Sequence, residues 1–380
     1  MVRHPVAGIF PARECINSQG VDAVLVWGTG GGMGTVQTIS RLKSWVRQSA
    51  AGLYSHMPGC LSQLRGKVSI LTYHRVIPLE DVRMQCVQPG MYVTPDMFER
   101  HLAFLSAEFQ LISFSELLAL WTACRWDPMA RYCVITFDDG WLDTYRHAWP
   151  ALRRHRIPAT VFLPTAFIGT DRWFWPDRLG LIMQSHFREA VPSRQNRFRR
   201  LVKNFPWLMP AADAFEHGDT DAIVECWKVQ PQEQIDACLE EWLAESQTAF
   251  PSQRILMNWK EVCEMSSCGV EFGSHSVSHR IMTTLSQPDV AWEAAESMAM
   301  LREKGLSPIP VFCYPNGNWS PLVADQVREA GYRAATTTQF GHEKGKPASW
   351  FGLKRINVHQ GIACNESLLA FHLAGFNDWL

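Results

Sequence analysis

The chain has no apolar stretch approaching the roughly 18 residues that a membrane-spanning helix needs, so the sequence offers no transmembrane anchor. Met1–Ala23 lacks the unbroken apolar core of a secretion signal, because Pro5, Pro11, Arg13 and Glu14 interrupt it. There is no excess of either charge: 36 Lys and Arg face 37 Asp and Glu, a formal charge of -1. That balance excludes the basic field on which nucleic-acid binding depends, so nucleic acid is not an expected partner. The 11 cysteines contain no CxxC pair, and Cys133 and Cys313 sit inside apolar, strand-like runs. Such usage argues against a disulfide framework and for buried free thiols in a reducing, cytoplasmic setting. Internal repeats and low-complexity tracts are absent too.

A nucleotide loop is also missing. Val24–Gly34 superficially resembles one, but counting from Gly28 and Gly30 puts Met33 where GxGxxG needs its third glycine, and no βαβ unit surrounds it. Met33 is itself a candidate start of translation. Residues 1–66 read as a partly flexible N-terminal extension. Within it, Thr35–Arg65 carries apolar residues at helical spacing with Arg41, Lys43, Arg47 and Arg65 among them. That pattern predicts a surface helix, docked on the protein or in peripheral contact with a membrane at its inner face.

What is present is alternation. From Lys67 onward strand-like and helix-like segments follow one another: strands over Val68–Tyr73, the run ending at Asp138, Ala159–Pro164, Val270–Ser274, Pro310–Tyr314, Tyr332–Thr336 and Leu353–Val358. Helices are predicted between them, one capped by Thr94 with Pro95 at its first position, another capped by Ser113. Such alternation implies parallel strands, and about seven of them suggest a closed or nearly closed α/β barrel. The rhythm breaks at about 171–254, a tract rich in tryptophan and charge with helix-like windows at Asp177–Arg188 and Gln232–Gln247. We read it as a mostly helical insertion in a catalytic domain spanning 67–365, followed by a tail over 366–380.

Chemistry concentrates where strands end. Val134-Ile-Thr-Phe-Asp-Asp-Gly140 runs from an apolar strand into two adjacent carboxylates, and Gly273-Ser-His-Ser-Val-Ser-His279 delivers two histidines four residues apart. A helix beginning there would stack both imidazoles on one face. Adjacent carboxylates repel, so both ionise comfortably only beside a cation or in solvent. A divalent metal held by Asp139, His275 and His279 supplies that cation and leaves Asp138 to act as a base. A third segment, Val311–Asn318, ends a strand in a Pro-Asn-Gly turn whose backbone N–H groups can donate to a developing oxyanion.

Thr136-Phe-Asp-Asp-Gly140, His275-Ser-Val-Ser-His279 and Phe312-Cys-Tyr-Pro-Asn-Gly317, in this order, resemble the first three motifs of the polysaccharide deacetylases, the NodB-homology domain of carbohydrate esterase family four. Leu71–Val76 and Tyr145–Phe162 are similar to the same family, and the long insert with Trp173-Phe-Trp-Pro-Asp-Arg178 resembles its bacterial exopolysaccharide-associated branch. The resemblance implies a distorted (β/α) barrel and metal-dependent removal of N-acetyl groups from a sugar, in a polysaccharide or a lipid-linked oligosaccharide precursor. The implied metal is zinc, with cobalt or nickel as alternatives. It implies Asp138 as general base, Asp139, His275 and His279 as metal ligands, and the backbone N–H of Asn316 as oxyanion donor. His359, beyond the last strand, is the candidate general acid.

Some positions depart from the family. Cys313 stands where the third motif commonly carries the arginine that orients the base, and Asn316 replaces the usual aromatic residue. Orientation of Asp138 then falls to Arg355 or His74. The Asp-Trp pair of the fourth motif has no match in Thr336–Leu353, which leaves Trp319, Trp350, Trp173 and Trp175 as candidates for the apolar wall. A protein that keeps the fold but only binds carbohydrate or acts as a scaffold is the alternative reading.

Overall fold

The computed structural model of the protein describes residues 33–57, 59–246 and 254–376. The glycine-rich stretch before Met33 therefore lies outside the described residues. Seven parallel strands form the barrel: β1 (Lys67–Tyr73), β2 (Arg131–Phe137), β3 (Thr160–Leu163), β4 (Glu271–Ser274), β5 (Val311–Cys313), β6 (Ala334–Phe340) and β7 (Leu353–Asn357). They pair in chain order, and β1 closes the ring by pairing with both β7 and β2. Gln110–Leu111 adds to the outside of β2, and Glu343–Lys344 pairs antiparallel with β1.

The two-residue period of the strands divides their side chains between two cores. Val68, Ile70, Tyr132, Val134, Phe162, Val311, Cys313, Ala334 and Leu353 form one cluster with Phe114, Leu117 and Trp121 of the helix Phe114–Thr122. Alternate positions, including Leu71, Tyr73, Cys133, Ile135, Phe137, Val161 and Ile356, pack in the other cluster against helices such as Pro95–Glu108 and Trp149–His155. Asp138 and Arg355 continue the first set, which places two charged residues at the C-terminal mouth of the barrel. The in-register pairing of β1 with β2 runs from Lys67↔Arg131 to Tyr73↔Phe137, so His74 and Asp138 leave the barrel level with one another.

Sequence signals set several boundaries. Thr94 accepts from the Met97 N–H, and Ser113 forms a full capping box with Glu116. The surface helix spans Met33–Ser55, shorter than the Thr35–Arg65 pattern, because the chain turns after Ser55 into a 3₁₀ segment at Ser62–Leu64. It docks on the body: Ala51 and Tyr54 pack against Leu368 and Phe371 of the helix Glu366–Leu373. The segment read as a tail thus opens with a buried helix, its apolar residues fully covered. The opposite side of the N-terminal helix exposes Trp45, Val46 and Leu53. No helix among the described residues is long and apolar enough to cross a membrane.

The tract after β3 is helical: Trp175–His186, Val191–Asn204, Ala212–His217, Thr220–Trp227 and Gln232–Ser246. These helices enclose a core of their own built on Leu179, Leu201, Phe215, Trp227 and Trp242. The middle three were not foreseen, since basic residues in Val191–Asn204 and Pro210 beside Ala212 obscure the helical period.

Candidate active site

Arg355 lies within β7, and Asp138, Asp139, His275 and Asn316 lie just past the C-terminal ends of their strands. Four of the seven non-glycine residues with positive φ among the described residues cluster here: Asp139 (72°), Ser276 (65°), His279 (59°) and Asn316 (58°). Such conformations cost about 1–3 kcal/mol each and persist where surrounding structure enforces them. Gly140 is enforced by space as well as by its φ of 70°, since an added Cβ would lie 2.7 Å from Leu163 Cδ2.

Asp139 Oδ1 faces His279 Nε2 at 3.2 Å and His275 Nε2 at 3.5 Å. Its other oxygen accepts from the Trp141 indole N–H at 3.0 Å. His275 Nδ1 donates to the Cys313 carbonyl at 2.7 Å, which aims Nε2 at Asp139. A carboxylate oxygen facing two imidazole nitrogens needs positive charge between them. Burial alone would raise the Asp139 carboxyl, yet the hydrogen bonds from His275 and His279 hold it well below its usual range. Donor spacing fits an ion: tetrahedral zinc at about 2.1 Å from each ligand separates them by about 3.4 Å. Asp139, His275 and His279 therefore suit a divalent metal by identity and by separation.

The histidines do not sit on a helix, contrary to the spacing argument. His275–His279 is an irregular loop, drawn tight by the buried Glu293 of the helix Gln287–Glu303, whose carboxylate accepts from the N–H groups of Val277 and Ser278 at 2.7 and 2.9 Å. The Ser276 hydroxyl accepts from the His279 N–H at 3.0 Å. Sequence reasoning missed Glu293, because nothing in a helical glutamate marks it as a loop anchor.

Asp138 is held by Arg355. Both guanidinium nitrogens donate to its two oxygens, at 2.8 and 2.7 Å, and Arg355 Nε donates to the Thr337 carbonyl at 2.9 Å. The Cys313 thiol donates to the same carboxylate at 3.5 Å. Burial opposes ionisation of Asp138, but the Arg355 guanidinium outweighs it and keeps the carboxyl below its ordinary range. Of the two candidates for this task, the geometry selects Arg355.

His74 takes another place. Burial lowers its pKa, with Asp139 and Asp138 pulling the other way, and its Nδ1 is buried without a hydrogen-bond partner. His359 is pushed down to about 4, by burial first and then by His372 and His74; its Nδ1 accepts from the Gly361 N–H at 3.2 Å. Asn316 caps the β5 turn, its carbonyl accepting from Thr338 Oγ1 at 3.3 Å.

Outside this ring, Arg75 pairs with Asp143 at 2.7 Å, both buried, and lies 4.3 Å from the Trp141 ring centroid. This braces the indole that holds Asp139. Asp177, in the first helix of the insertion, is raised to about 7 by burial, with Arg75 opposing and Asp139 adding to the rise. The aromatic wall is made by Phe174, whose ring centroid is 4.6 Å from that of His279, backed by Phe167 and Trp141. Trp173 packs in the same cluster. Trp350 instead packs on Trp121 beneath the barrel, and Trp319 on Tyr314.

Barrel, strand-end carboxylates and histidine loop together form a hydrolase-type site. The polysaccharide deacetylase family model matches residues 127–201 and 230–335, and the chain belongs to that family. It is 27% identical over 127 residues to the putative polysaccharide deacetylase YxkH of Bacillus subtilis, an alignment covering 32% of this chain and 42% of that relative. Among solved structures it is similar to the Streptococcus pyogenes deacetylase PplD in complex with acetate (TM-score 0.52, 17% identity, 81% of this chain and 98% of that one). It is also similar to IcaB from Ammonifex degensii (TM-score 0.50, 18% identity, 81% and 97%).

Proposed function

We propose that this protein hydrolyses N-acetyl groups from an N-acetylated sugar in a bacterial polysaccharide or its lipid-linked precursor, releasing acetate and leaving a free amine. The observation that carries the reading is the division of labour between Asp138 and Asp139: one carboxylate is bound by a guanidinium, the other opens toward two imidazole nitrogens. Asp139, His275 and His279 would hold a divalent ion, zinc first with cobalt or nickel as alternatives. Such an ion supplies Lewis acidity toward the amide carbonyl and toward water.

The chain's own residues do the rest. Asp138, ionised at neutral pH, takes a proton from the attacking water. Arg355 fixes its direction and keeps it charged. The Asn316 backbone N–H is assigned to the developing oxyanion. A proton must then reach the leaving nitrogen, and His74 has a better claim than His359 to deliver it. Asp138 and Asp139 feel the charge of His74, whereas His359, lowered chiefly by burial, feels the charges of His372, His74 and Arg47 and of neither carboxylate among its main causes. Phe174 against His279 gives the acetyl methyl an apolar neighbour.

The scaffold alternative drew its support from Cys313 in place of an arginine. Arg355 supplies that guanidinium from β7, which removes the reason for it. Two variants test the proposal. Asp138→Asn should retain bound metal and lose acetate release by about 10²–10⁴-fold, as removal of a general base does. Asp139→Ala should lose both metal and activity; a metal-replete, active Asp139→Ala protein would refute the assignment.

A further inference from the structure

The insertion meets the catalytic barrel at a cleft. On one side stand Trp175, Lys228, Gln230 and Gln232; on the other stand His279 and Arg280. Asp139 and His275 have side chains only 5% and 3% exposed, while His279 is 26% exposed. The proposed metal site is therefore open on the side of His279, and a polymer reaching it must lay its neighbouring units along whatever adjoins that residue. What adjoins it is this cleft.

The lining selects among polymers. Trp175 stacks on the fully buried Trp227, with ring centroids 6.1 Å apart and planes at 19°, so its ring is held stiffly. An indole flanked by side-chain amides suits a pyranose, apolar on its C–H face and ringed by hydroxyl groups. The cations of the cleft are already matched, Lys228 with Glu225 at 2.5 Å and Arg280 with Glu233 at 3.4 Å. Two positive and two negative groups leave no surplus charge to attract an anionic chain. Val229, on the connection that follows the helix Thr220–Trp227, is 73% exposed and packs into no core.

We infer that this cleft is a subsite for the sugar units next to the one being deacetylated, and that its occupant is an uncharged, hydroxyl-rich glycan. The inference deepens the deacetylase reading and rests on it. It makes the insertion a determinant of chain length, with the barrel performing the chemistry.

The test uses the full, metal-loaded chain and the rim variants Val229→Asp and Gln230→Ala, neither of which touches the catalytic cluster. Acetate release is measured on N-acetylglucosamine oligomers of one to six units, and binding of the hexamer is measured by calorimetry. Expected results are a KM for the tetramer and longer chains raised about tenfold, kcat within about twofold, and an unchanged rate on the single sugar. Unaltered KM at every length, with wild-type hexamer binding, would overturn the subsite while leaving the deacetylase reading intact. Hexamer binding that the variants abolish, without acetate release from the wild-type chain, would keep a glycan cleft and sink the hydrolase. Preference for an anionic glycan over the neutral hexamer would contradict the charge argument.

Discussion

Asp138 and Asp139 are neighbours in the chain and opposites in their surroundings. Period-2 alternation turns Asp138 into the barrel mouth, and the left-handed backbone at Asp139 turns the next side chain toward the histidine loop. The separate roles proposed for them were an expectation from the motif, and the structure gives the two carboxylates different surroundings. The partner of Asp138 was not legible there, because Arg355 is 217 positions away and only the closed sheet brings them together. Arg355→Gln removes the group that opposes burial. The carboxyl, now depressed, should then rise above its ordinary value. The depressed carboxyl adds stability above the unfolded value of about 3.9 and loses that contribution as pH falls. In the variant this dependence reverses, and the acid limb of kcat/KM moves to higher pH. The expected loss is about 10²-fold at neutral pH, partly recovered at higher pH, measured as a pH–rate profile. An unshifted limb would show that Arg355 does not tune the base.

At the scale of elements, strands and their order were readable from apolar runs ending in chemistry, and capped helices from Thr94 and Ser113. The helix that would stack His275 and His279 does not form, since i,i+4 spacing is only one way to bring two imidazoles together. Here positive φ at Ser276 and His279 does so, with Glu293 tying the loop to a helix behind it. Glu293→Gln keeps the shape but weakens the acceptor. Metal affinity should fall roughly 10–100-fold, as loss of an outer support does, and competition with a chromophoric chelator measures it. Unchanged affinity would reduce Glu293 to a structural role. The insertion announced itself as a break in alternation, but its middle helices carry too much charge and proline for their period to show.

Over the whole molecule, closure of the sheet through β1 is what turns seven separate strand ends into one mouth. No single window of sequence contains that closure, although the count and alternation of strands point to it. The N-terminal helix lies outside the barrel, with Trp45, Val46 and Leu53 exposed beside Lys43. We propose this face as the contact with the inner membrane surface on the cytoplasmic side. Co-sedimentation with anionic vesicles should exceed that with neutral ones, and Trp45→Ser with Leu53→Ser should reduce both; equal sedimentation of the double variant would contradict membrane contact.

The central claim is that Asp139, His275 and His279 hold a metal without which Asp138 has no reaction to serve. The direct measurement is acetate release from an N-acetylglucosamine oligomer by the chain as purified, after chelation, and after zinc, cobalt or nickel is restored. Activity that disappears with the metal and returns with it is the expected result. Full acetate release from chelated protein shown by elemental analysis to be metal-free would contradict it.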